Sequence, residues 1–536
     1  MLAATLAVSL AFQSSPPLYF EPTFDPTNLA FANLLRMPTD AVAFPGDDRI
    51  FVSVLGAEVR IIRGGELLAE RFLDVSAEAN AAGFLGLSAI TLHPRFDVNG
   101  HMYLWYGNRP DPMSAPLDMV LARVTVDAQN PDRADPATLV ELLRVPFDTN
   151  THSGGRIAFG PDGKLWIGIG DAGLQGDPEC RAQDMTRLAG KMIRLDVDAG
   201  FPYVVPPDNP FVGVPGVAPE IVHSGLRNPW KWSFDDATGE LWIGDVGGAE
   251  REEVNFVPAG EFGLNFGWPA QEGSACHPSG GCSPSVPGCG DPSFTGPAFE
   301  YLHGPSFGTE CAVTGGQVYY GAAAPWLTGW YLCADLCTHR FWRIRRTAQG
   351  GFEVRDQPVV LDQPLPDATW QPVSFGTDGN GELIVVNYRE GMVHRLRASC
   401  SADRVCDGAP NATGASAGLR WIGSTSITAN DATAYVDGLP SFGPALLFYG
   451  PLTDQVTLGN GTLCVGGALV RAWAQVADAT GAIRFDLDLG AAPFSSAPGL
   501  VEPGSTWTFQ AWYRDVGGPL GATYNFSSAT RVTFCP

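Results

Sequence analysis

The sequence predicts an all-β protein in which a six-bladed β-propeller is followed by a smaller β-sandwich domain. The 64 glycines and 44 prolines among the 536 residues are spread along the chain, which is typical of many short strands joined by turns. A strand–turn–strand pattern recurs between about residues 36 and 398, and a different, alternating pattern follows it. The chain is long enough for two domains, each with its own core.

The recurring pattern is an apolar strand, a turn containing Pro, Asp or Gly, and a second apolar strand. One such unit is a small antiparallel sheet that cannot bury both of its faces alone, whereas radial stacking of several sheets buries them all. Five clear copies and a diverged sixth, at 315–320, therefore predict six blades within residues 20–398. The clear copies are residues 44–52, 92–104, 159–168, 234–243 and 375–385.

Small and polar residues at 399–417 predict a linker, and residues 418–536 predict the β-sandwich. Residues 506–513 alternate between polar and apolar side chains, and Gly, Pro and Asn separate the short strands. Cys464 and Cys535 are the only cysteines after residue 417, so a disulfide between them is the simplest expectation.

The 11 cysteines are clustered, which suggests disulfides formed in an oxidising compartment. Zinc is the rival interpretation, but the tight Cys-x-x-Cys pairs of a zinc site are absent from the sequence. The apolar run at residues 1–12 resembles the core of a secretory signal peptide, so residues 1–15 are expected to be its remnant. We therefore expect an exported protein, periplasmic, cell-surface or extracellular, with no transmembrane segment.

The formal net charge is -24, and the only lysines are Lys164, Lys191 and Lys231. Because no basic stripe is present, nucleic acid is not expected as a partner.

Three polar runs are candidates for chemistry. In the first, residues 150–156 and 169–173 supply His152 and Asp171; a carboxylate that orients a histidine makes it a general base. A structural histidine in a Gly-rich turn is the alternative.

In the second polar run, Arg227 can stabilise negative charge on an oxygen, or simply pair with an acidic loop. In the third, residues 243–253 combine glycines and carboxylates, which suits calcium or merely a solvated turn.

These runs occur in the order found in the glucose/sorbosone dehydrogenase family, which the chain resembles over roughly residues 30–398. The family includes soluble quinoprotein glucose dehydrogenase, aldose sugar dehydrogenases and the propeller of Hedgehog-interacting protein. The most specific matching stretches are residues 155–163, 190–196, 207–211, 225–230 and 265–269.

The resemblance implies oxidation of the anomeric hydroxyl of an aldose sugar, with pyrroloquinoline quinone as hydride acceptor and a soluble electron acceptor after it. His152 matches the general base and Asp171 the carboxylate near it. Arg227 and Asn228 match the residues that contact the reacting quinone oxygens. The carbonyls of residues 247–248, Gly247 and Gly248, match those that hold the cofactor's calcium ion.

Several positions depart from the family's cofactor-binding pattern. Leu85 replaces a polar residue, and residues 368–371 contain neither of two arginines. Residues 337–340 lack a lysine, for which Arg340 or His339 is the candidate substitute. The quinone is a tricarboxylate and needs cationic partners. Residues 330–337 resemble the Hedgehog-interacting-protein-like branch more closely.

Two interpretations of function therefore stay open at the level of sequence. The first is a quinone-dependent sugar dehydrogenase, and the second is a non-catalytic exported propeller acting as a binding or surface-interaction module. A hydrolase is disfavoured because no nucleophile paired with a base stands out. Residues 448–451, 463–467 and 509–515 are similar to C-terminal modules of exported bacterial proteins, and contact of this domain with a cell surface or polysaccharide is a further hypothesis.

Overall fold

A computed structural model describes residues 18–534 except 25–34, 80–85, 109–116, 148, 150, 278–281, 283–285, 306–308, 362–369, 398–400, 428 and 503–504. The expected signal-peptide remnant lies outside the described residues. The chain divides into two compact units. One comprises residues up to 321 together with 327–396, and the other comprises 322–326 together with residues from 397 onward.

The first unit is built from short strands, and the all-β class predicted from the sequence is confirmed. One short α-helix, α1 (Phe96–Asn99), and a 3-10 turn at Pro325–Leu327 are the described helical segments before residue 397. The strands are β1 (Leu18–Pro22), β2 (Pro38–Val42), β3 (Arg49–Val54), β4 (Glu58–Arg63), β5 (Glu66–Leu67), β6 (Leu73–Asp74), β7 (Leu87–Leu92), β8 (His101–Asn108), β9 (Leu117–Val126), β10 (Ala134–Phe147), β11 (Arg156–Phe159), β12 (Leu165–Ile169), β13 (Lys191–Leu195), β14 (Ile221–Ser224), β15 (Pro229–Phe234), β16 (Leu241–Asp245), β17 (Arg251–Val257), β18 (Gln271–Glu272), β19 (Ala275–Cys276), β20 (Phe299–Leu302), β21 (Val313–Val318), β22 (Tyr331–Asp335), β23 (Phe341–Arg346), β24 (Phe352–Gln357), β25 (Val359–Leu361), β26 (Pro372–Thr377), β27 (Leu383–Asn387) and β28 (Met392–Arg397).

Within the described residues these strands form six larger sheets and the small β18–β19 hairpin. The sheets are β2–β6, β7–β10, β11–β14, β15–β17 with β20, β21–β24, and β26–β28 with β1 and β25. The first strands of successive sheets contact one another in the order β2, β7, β11, β15, β21, β26 and back to β2. The sheets are thus blades arranged around one axis, and β1, from the N-terminal side, completes the last blade.

Strand β12 shows why the repeated sequence forms such blades. All five of its residues are buried. Leu165 and Ile167 join one hydrophobic cluster and Trp166 joins another. Since successive side chains point to opposite faces of a strand, each blade contributes to the core on both of its sides. Gly163, in the turn before β12, has a φ of +72°, a conformation that glycine adopts without strain.

The second unit contains two sheets that share one core, to which Leu419 and Phe485 contribute from one sheet and Phe509 from the other. One sheet has the order β29-β39-β37-β32-β35 with β38 beside β37, the other has the order β30-β31-β36, and β33 pairs with β34. The strands are β29 (Ser401–Cys406), β30 (Gly418–Ile422), β31 (Thr433–Asp437), β32 (Pro444–Gly450), β33 (Leu452–Leu458), β34 (Gly461–Gly466), β35 (Val470–Val476), β36 (Ile483–Asp486), β37 (Thr506–Arg514), β38 (Tyr524–Phe526) and β39 (Ala529–Thr533).

Two expectations for this unit need correction. Residues 401–406, predicted to be part of a linker, form β29 and pair antiparallel with β39. Cys464 forms a disulfide with Cys406, and not with Cys535. The physical reason is the same for both: joining the sheet brings Cys406 beside Cys464. Cys535 itself lies outside the described residues.

Three further disulfides lie in the first unit: Cys180–Cys282, Cys276–Cys289 and Cys311–Cys337. Among the cysteines that the structure describes, Cys333 on β22 is the free one, and it is buried. None of the described helices has the length and hydrophobicity needed to cross a membrane.

Candidate active site

His152 and Asp171 are brought together at one end of the third blade. Nδ1 of His152 lies 2.8 Å from Oδ1 of Asp171. His152 precedes β11 and Asp171 follows β12. Because β11 and β12 are antiparallel neighbours, the start of one and the end of the other meet at the same edge of the sheet.

Asp171 is fully buried, and its carboxylate is held by two further donors. The backbone N–H of Gly173 donates to Oδ1 at 3.0 Å, and the indole N–H of Trp268 donates to Oδ2 at 2.9 Å. Since a carboxylate only accepts, Nδ1 of His152 is the donor in the pair with Asp171. This assignment leaves the lone pair of His152 on Nε2, which is the arrangement a general base requires.

Arg227 lies on the other side of His152. Its NH2 group is 3.1 Å from Nε2 of His152, and its NH1 group donates to the carbonyl of Val246 at 2.8 Å. The guanidinium is 5.5 Å from the centre of the Trp268 ring. The positive charge therefore stands next to the lone pair on which a proton would arrive.

The backbone of Arg227 and Asn228 is fixed by Asp245, at the end of β16. Oδ2 of Asp245 accepts the N–H of Arg227 at 2.9 Å, and Oδ1 accepts the N–H of Asn228 at 2.6 Å. Complete burial raises the pKa of Asp245, and the charge of Asp171 adds to the effect, against the two backbone donors. The side-chain oxygen of Asn228 in turn accepts the N–H of Gly154 at 3.0 Å.

Gly247 and Gly248, the predicted calcium ligands, lie in a tight turn organised by Glu272. The backbone N–H groups of residues 248–251 all donate to Oε1 of Glu272, at 2.7–3.0 Å. Although burial acts in the opposite direction, these donors lower the pKa of Glu272. A Cβ on Gly247 would lie 1.6 Å from the carbonyl oxygen of Arg251, so only glycine fits there.

The calcium assignment gains no support from this turn. The carbonyl of Gly248 accepts a hydrogen bond from Nε2 of Gln175 at 3.0 Å. Calcium takes six to eight oxygen ligands, and two carbonyls supply only a part of such a set. Coordination of calcium by Gly247 and Gly248 stays a prediction.

His152 and Asn228 face a cavity of about 260 Å³, here called the axial cavity. Its described lining residues come from five of the six sheets and are largely apolar. Polar groups reach it mainly from His152, Asn228 and the hydroxyls of threonine, serine and tyrosine side chains. The apolar lining includes Leu55, Trp230, Val246, Val313, Leu336 and Val373.

The axial cavity does not fit a tricarboxylate such as pyrroloquinoline quinone. None of its described lining residues is a lysine or an arginine. Arg340, the predicted substitute for a missing cation, lies elsewhere: its NH2 group is 2.6 Å from Asp356, and it lines a different groove. Three buried carboxylates without cationic partners would carry a large desolvation cost. The predicted role of Arg340 in cofactor binding is therefore not supported.

The other positions that depart from the family's cofactor-binding pattern lie away from the axial cavity or outside the described residues. His339 lines the same groove as Arg340. Leu85, Ala368 and Thr369 lie outside the described residues.

Sequence reasoning missed the supporting roles of three residues. Trp268 belongs to a stretch that matched the family, but nothing in that stretch indicates that its indole reaches Asp171. Asp245 and Glu272 were visible only as acidic residues near glycines. The signal that could have found Asp245 is its position directly after a fully apolar strand segment, where a buried carboxylate requires donors.

Comparisons with known proteins agree with this geometry. The model of the family described as Glucose / Sorbosone dehydrogenase matches residues 35–365. The HIPL1 protein of Arabidopsis thaliana is 30% identical over 400 residues, which cover 62% of this chain and 56% of that protein. Aldose sugar dehydrogenase YliI of Escherichia coli is 29% identical over 230 residues, 43% of this chain and 58% of that protein. The chain thus matches little more than half the length of these curated relatives.

Solved structures show the same fold. The soluble aldose sugar dehydrogenase (Asd) from Escherichia coli, in the apo-form, superposes with a TM-score of 0.56 at 22% identity, covering 70% of this chain and 98% of that one. At this identity the likeness shows the propeller fold alone. The family model, in contrast, covers more than half of the sequence. The chain belongs to the glucose/sorbosone dehydrogenase family.

Proposed function

We propose that the first unit oxidises the anomeric hydroxyl of an aldose sugar, with His152 as the general base. The observation that carries this proposal is the pair of His152 and Asp171, in which Nε2 keeps its lone pair beside the axial cavity. The names of relatives such as aldose sugar dehydrogenase and quinoprotein glucose dehydrogenase support sugar oxidation as the general activity.

In this proposal each residue acts on a stated atom. His152 takes the hydroxyl proton at Nε2, and Asp171 stabilises the imidazolium that results. Arg227 first moves its NH2 group away from Nε2, and its charge then favours the developing sugar oxyanion. Trp268 keeps Asp171 in place and, with the apolar walls, excludes water from the reaction. No step is assigned to pyrroloquinoline quinone, because the lining does not fit it.

One observation favours a second candidate, a non-catalytic binding module. None of the described residues that line the cavity facing His152 is a cation of the kind that the family's cofactor needs, and the HIPL1 relative leaves an enzymatic role undecided. The disulfides of the described residues agree with export in either case. Contact of the second unit with a cell surface or polysaccharide stays a prediction.

The test is dye-linked oxidation of a panel of aldoses by the full chain, with and without His152→Ala. We expect turnover in the parent protein and a loss of roughly a hundredfold or more in the variant, because general-base catalysis contributes about 10²–10⁴-fold. The matched control is His101→Ala, which changes a histidine of the second blade on β8. Equal turnover with and without His152 would contradict the mechanism, and no turnover in the parent protein would favour the binding module.

A further inference from the structure

We infer that the hydride acceptor bound in the axial cavity is an uncharged quinone and not a tricarboxylate one. This inference rests on the proposed function, since a sugar can lose two electrons only to an acceptor. Three features of the structure carry it: the charge of the lining, the partners of the nearest cations, and the size of the cavity.

The lining offers hydrogen bonds without charge. Apart from His152, its described members are apolar or carry a hydroxyl or amide group. The indole of Trp230 forms part of the wall and is held by a hydrogen bond from Nε1 to the carbonyl of Val373, 2.8 Å away. A fixed aromatic face beside aliphatic walls suits a flat, uncharged ring.

Arg227 contacts His152 at the reacting end of the cavity, and in the proposed function its charge acts on the developing sugar oxyanion, so it does not serve a carboxylate of the acceptor. Both terminal nitrogens of Arg227 are already engaged, with Val246 and His152. Two carboxyl groups are also close: Oδ1 of Asp171 lies 2.8 Å from Nδ1 of His152, and Asp245 accepts the backbone N–H groups of Arg227 and Asn228. A trianion placed here would be repelled by the negative charge of Asp171.

Lys231 lies behind the wall of the axial cavity and is not one of its described lining residues. Its side chain is fully buried, and Nζ is 5.2 Å from the ring of Trp230. Nζ donates to the carbonyls of Gly155 and Ser88 and lies 3.4 Å from Oδ1 of Asp40. Asp40 carries the opposite charge, and the three partners together hold the ammonium group among the first strands of several blades, behind Trp230 and away from a ligand in the axial cavity.

The size of the axial cavity also favours a small, uncharged quinone. A volume of about 260 Å³ is below the roughly 300–1,000 Å³ of pockets for drug-sized ligands. A one- or two-ring quinone is therefore a better match than three fused rings with three carboxylates.

The reaction balances with such an acceptor. The C1–H bond of the sugar breaks and its electron pair passes with the hydrogen to the quinone, while the hydroxyl proton goes to His152. Protonated His152 then returns that proton to the reduced quinone. The sugar leaves as the lactone and the acceptor as the hydroquinone.

The experiment is calorimetric titration of the full chain, calcium-loaded, with 2-methyl-1,4-naphthoquinone and with pyrroloquinoline quinone. We expect the uncharged quinone to bind at least tenfold more tightly. Leu336→Arg places a cation on the partly buried cavity wall and should reverse the preference. Val354→Arg, at an exposed position of β24, is the matched control and should change neither affinity.

Equal or tighter binding of pyrroloquinoline quinone by the parent protein would overturn the inference, as would failure of both quinones to bind. These outcomes are separate from failure of the proposed function. Dye-linked oxidation that depends on His152 would still hold if no quinone bound, and its absence would not alter the order of the two affinities.

Discussion

Asp171 determines what His152 can do, because it accepts three hydrogen bonds and so forces the imidazole to donate from Nδ1. The same carboxylate is fully buried, so its contribution cannot be replaced by water. The chemistry of the site therefore depends on residues behind His152 as much as on His152 itself.

We expect Asp171→Asn to lower kcat for sugar oxidation by roughly a hundredfold or more. An asparagine side chain cannot accept from both His152 and Trp268 with its single oxygen, so the imidazole loses its fixed tautomer. Steady-state kinetics beside thermal melting will separate this effect from unfolding. Asp198→Asn, at a half-exposed position, is the control, and unchanged kcat in Asp171→Asn would show that the tautomer is fixed by other groups.

His223 on β14 makes the free energy of unfolding depend on pH. It is fully buried against Trp166, Phe262 and Phe266, and burial lowers its pKa from 6.5 to about 3. Between these values the unfolded chain binds a proton that the folded chain does not. The free energy of unfolding therefore falls as the pH drops from about 6.5 towards 3, by at most about 5 kcal/mol from this residue.

Replacing this histidine should flatten the acid side of the stability profile. We expect His223→Gln to lose less melting temperature between pH 7 and pH 4.5 than the parent protein does, because glutamine does not titrate. Melting curves at both pH values give the comparison. Identical losses in the two proteins would mean that the folded and unfolded chains bind a proton at His223 equally well.

Among the elements, the hairpin of β21 and β22 is closed by a disulfide beside the axial cavity. Cys311 and Cys337 flank it and form a disulfide across a sequence separation of 26 residues. Next to the bridge, the N–H of Leu336 donates to the carbonyl of Ala312 at 2.9 Å, and both residues line the cavity. The disulfide thus braces a part of the wall that a ligand would touch.

We expect the double variant Cys311→Ala with Cys337→Ala to lower the free energy of unfolding by about 3 kcal/mol, from the entropy of the loop that is no longer closed. Denaturant unfolding measures the change. Cys276→Ala with Cys289→Ala removes a bridge of only 13 residues and should cost somewhat less. A larger loss in that control would contradict the loop-length argument.

Elements with a strong period were predictable, and pairings between distant elements were not. The copy at 159–168 predicts the turn after β11 and strand β12. Cys464 pairs with Cys406 because β29 joins a sheet by pairing with β39. The sequence of residues 401–406 does not predict that strand pairing. Arg340 illustrates the same limit, since its sequence position does not reveal which groove it faces.

At the scale of the whole molecule, each unit has its own hydrophobic core. The core of the second unit includes Phe509, which is fully buried. His152 and Asp171 could be predicted because both lie at ends of recognisable strands in one blade. The absence of lysine and arginine from the described lining of the axial cavity could not be predicted, because these residues come from several blades and meet only when the ring closes.

Because each unit has its own hydrophobic core, a core substitution in one unit should destabilise that unit alone. We expect Phe509→Ala to cost the second unit about 3–5 kcal/mol while leaving the first unit's transition in place. Differential scanning calorimetry of the full chain resolves the two transitions. A single transition that shifts as a whole would show that the units unfold together.

The buried Cys333 on β22 makes opening of the fifth blade measurable by thiol labelling. Burial raises the pKa of its thiol, so the reactive thiolate does not form while the blade stays closed. An alkylating reagent can modify it only during the moments when the strand separates from its neighbours. The rate of labelling therefore counts those openings directly, and slower labelling in the presence of a bound ligand would reveal that the ligand holds the ring of blades shut.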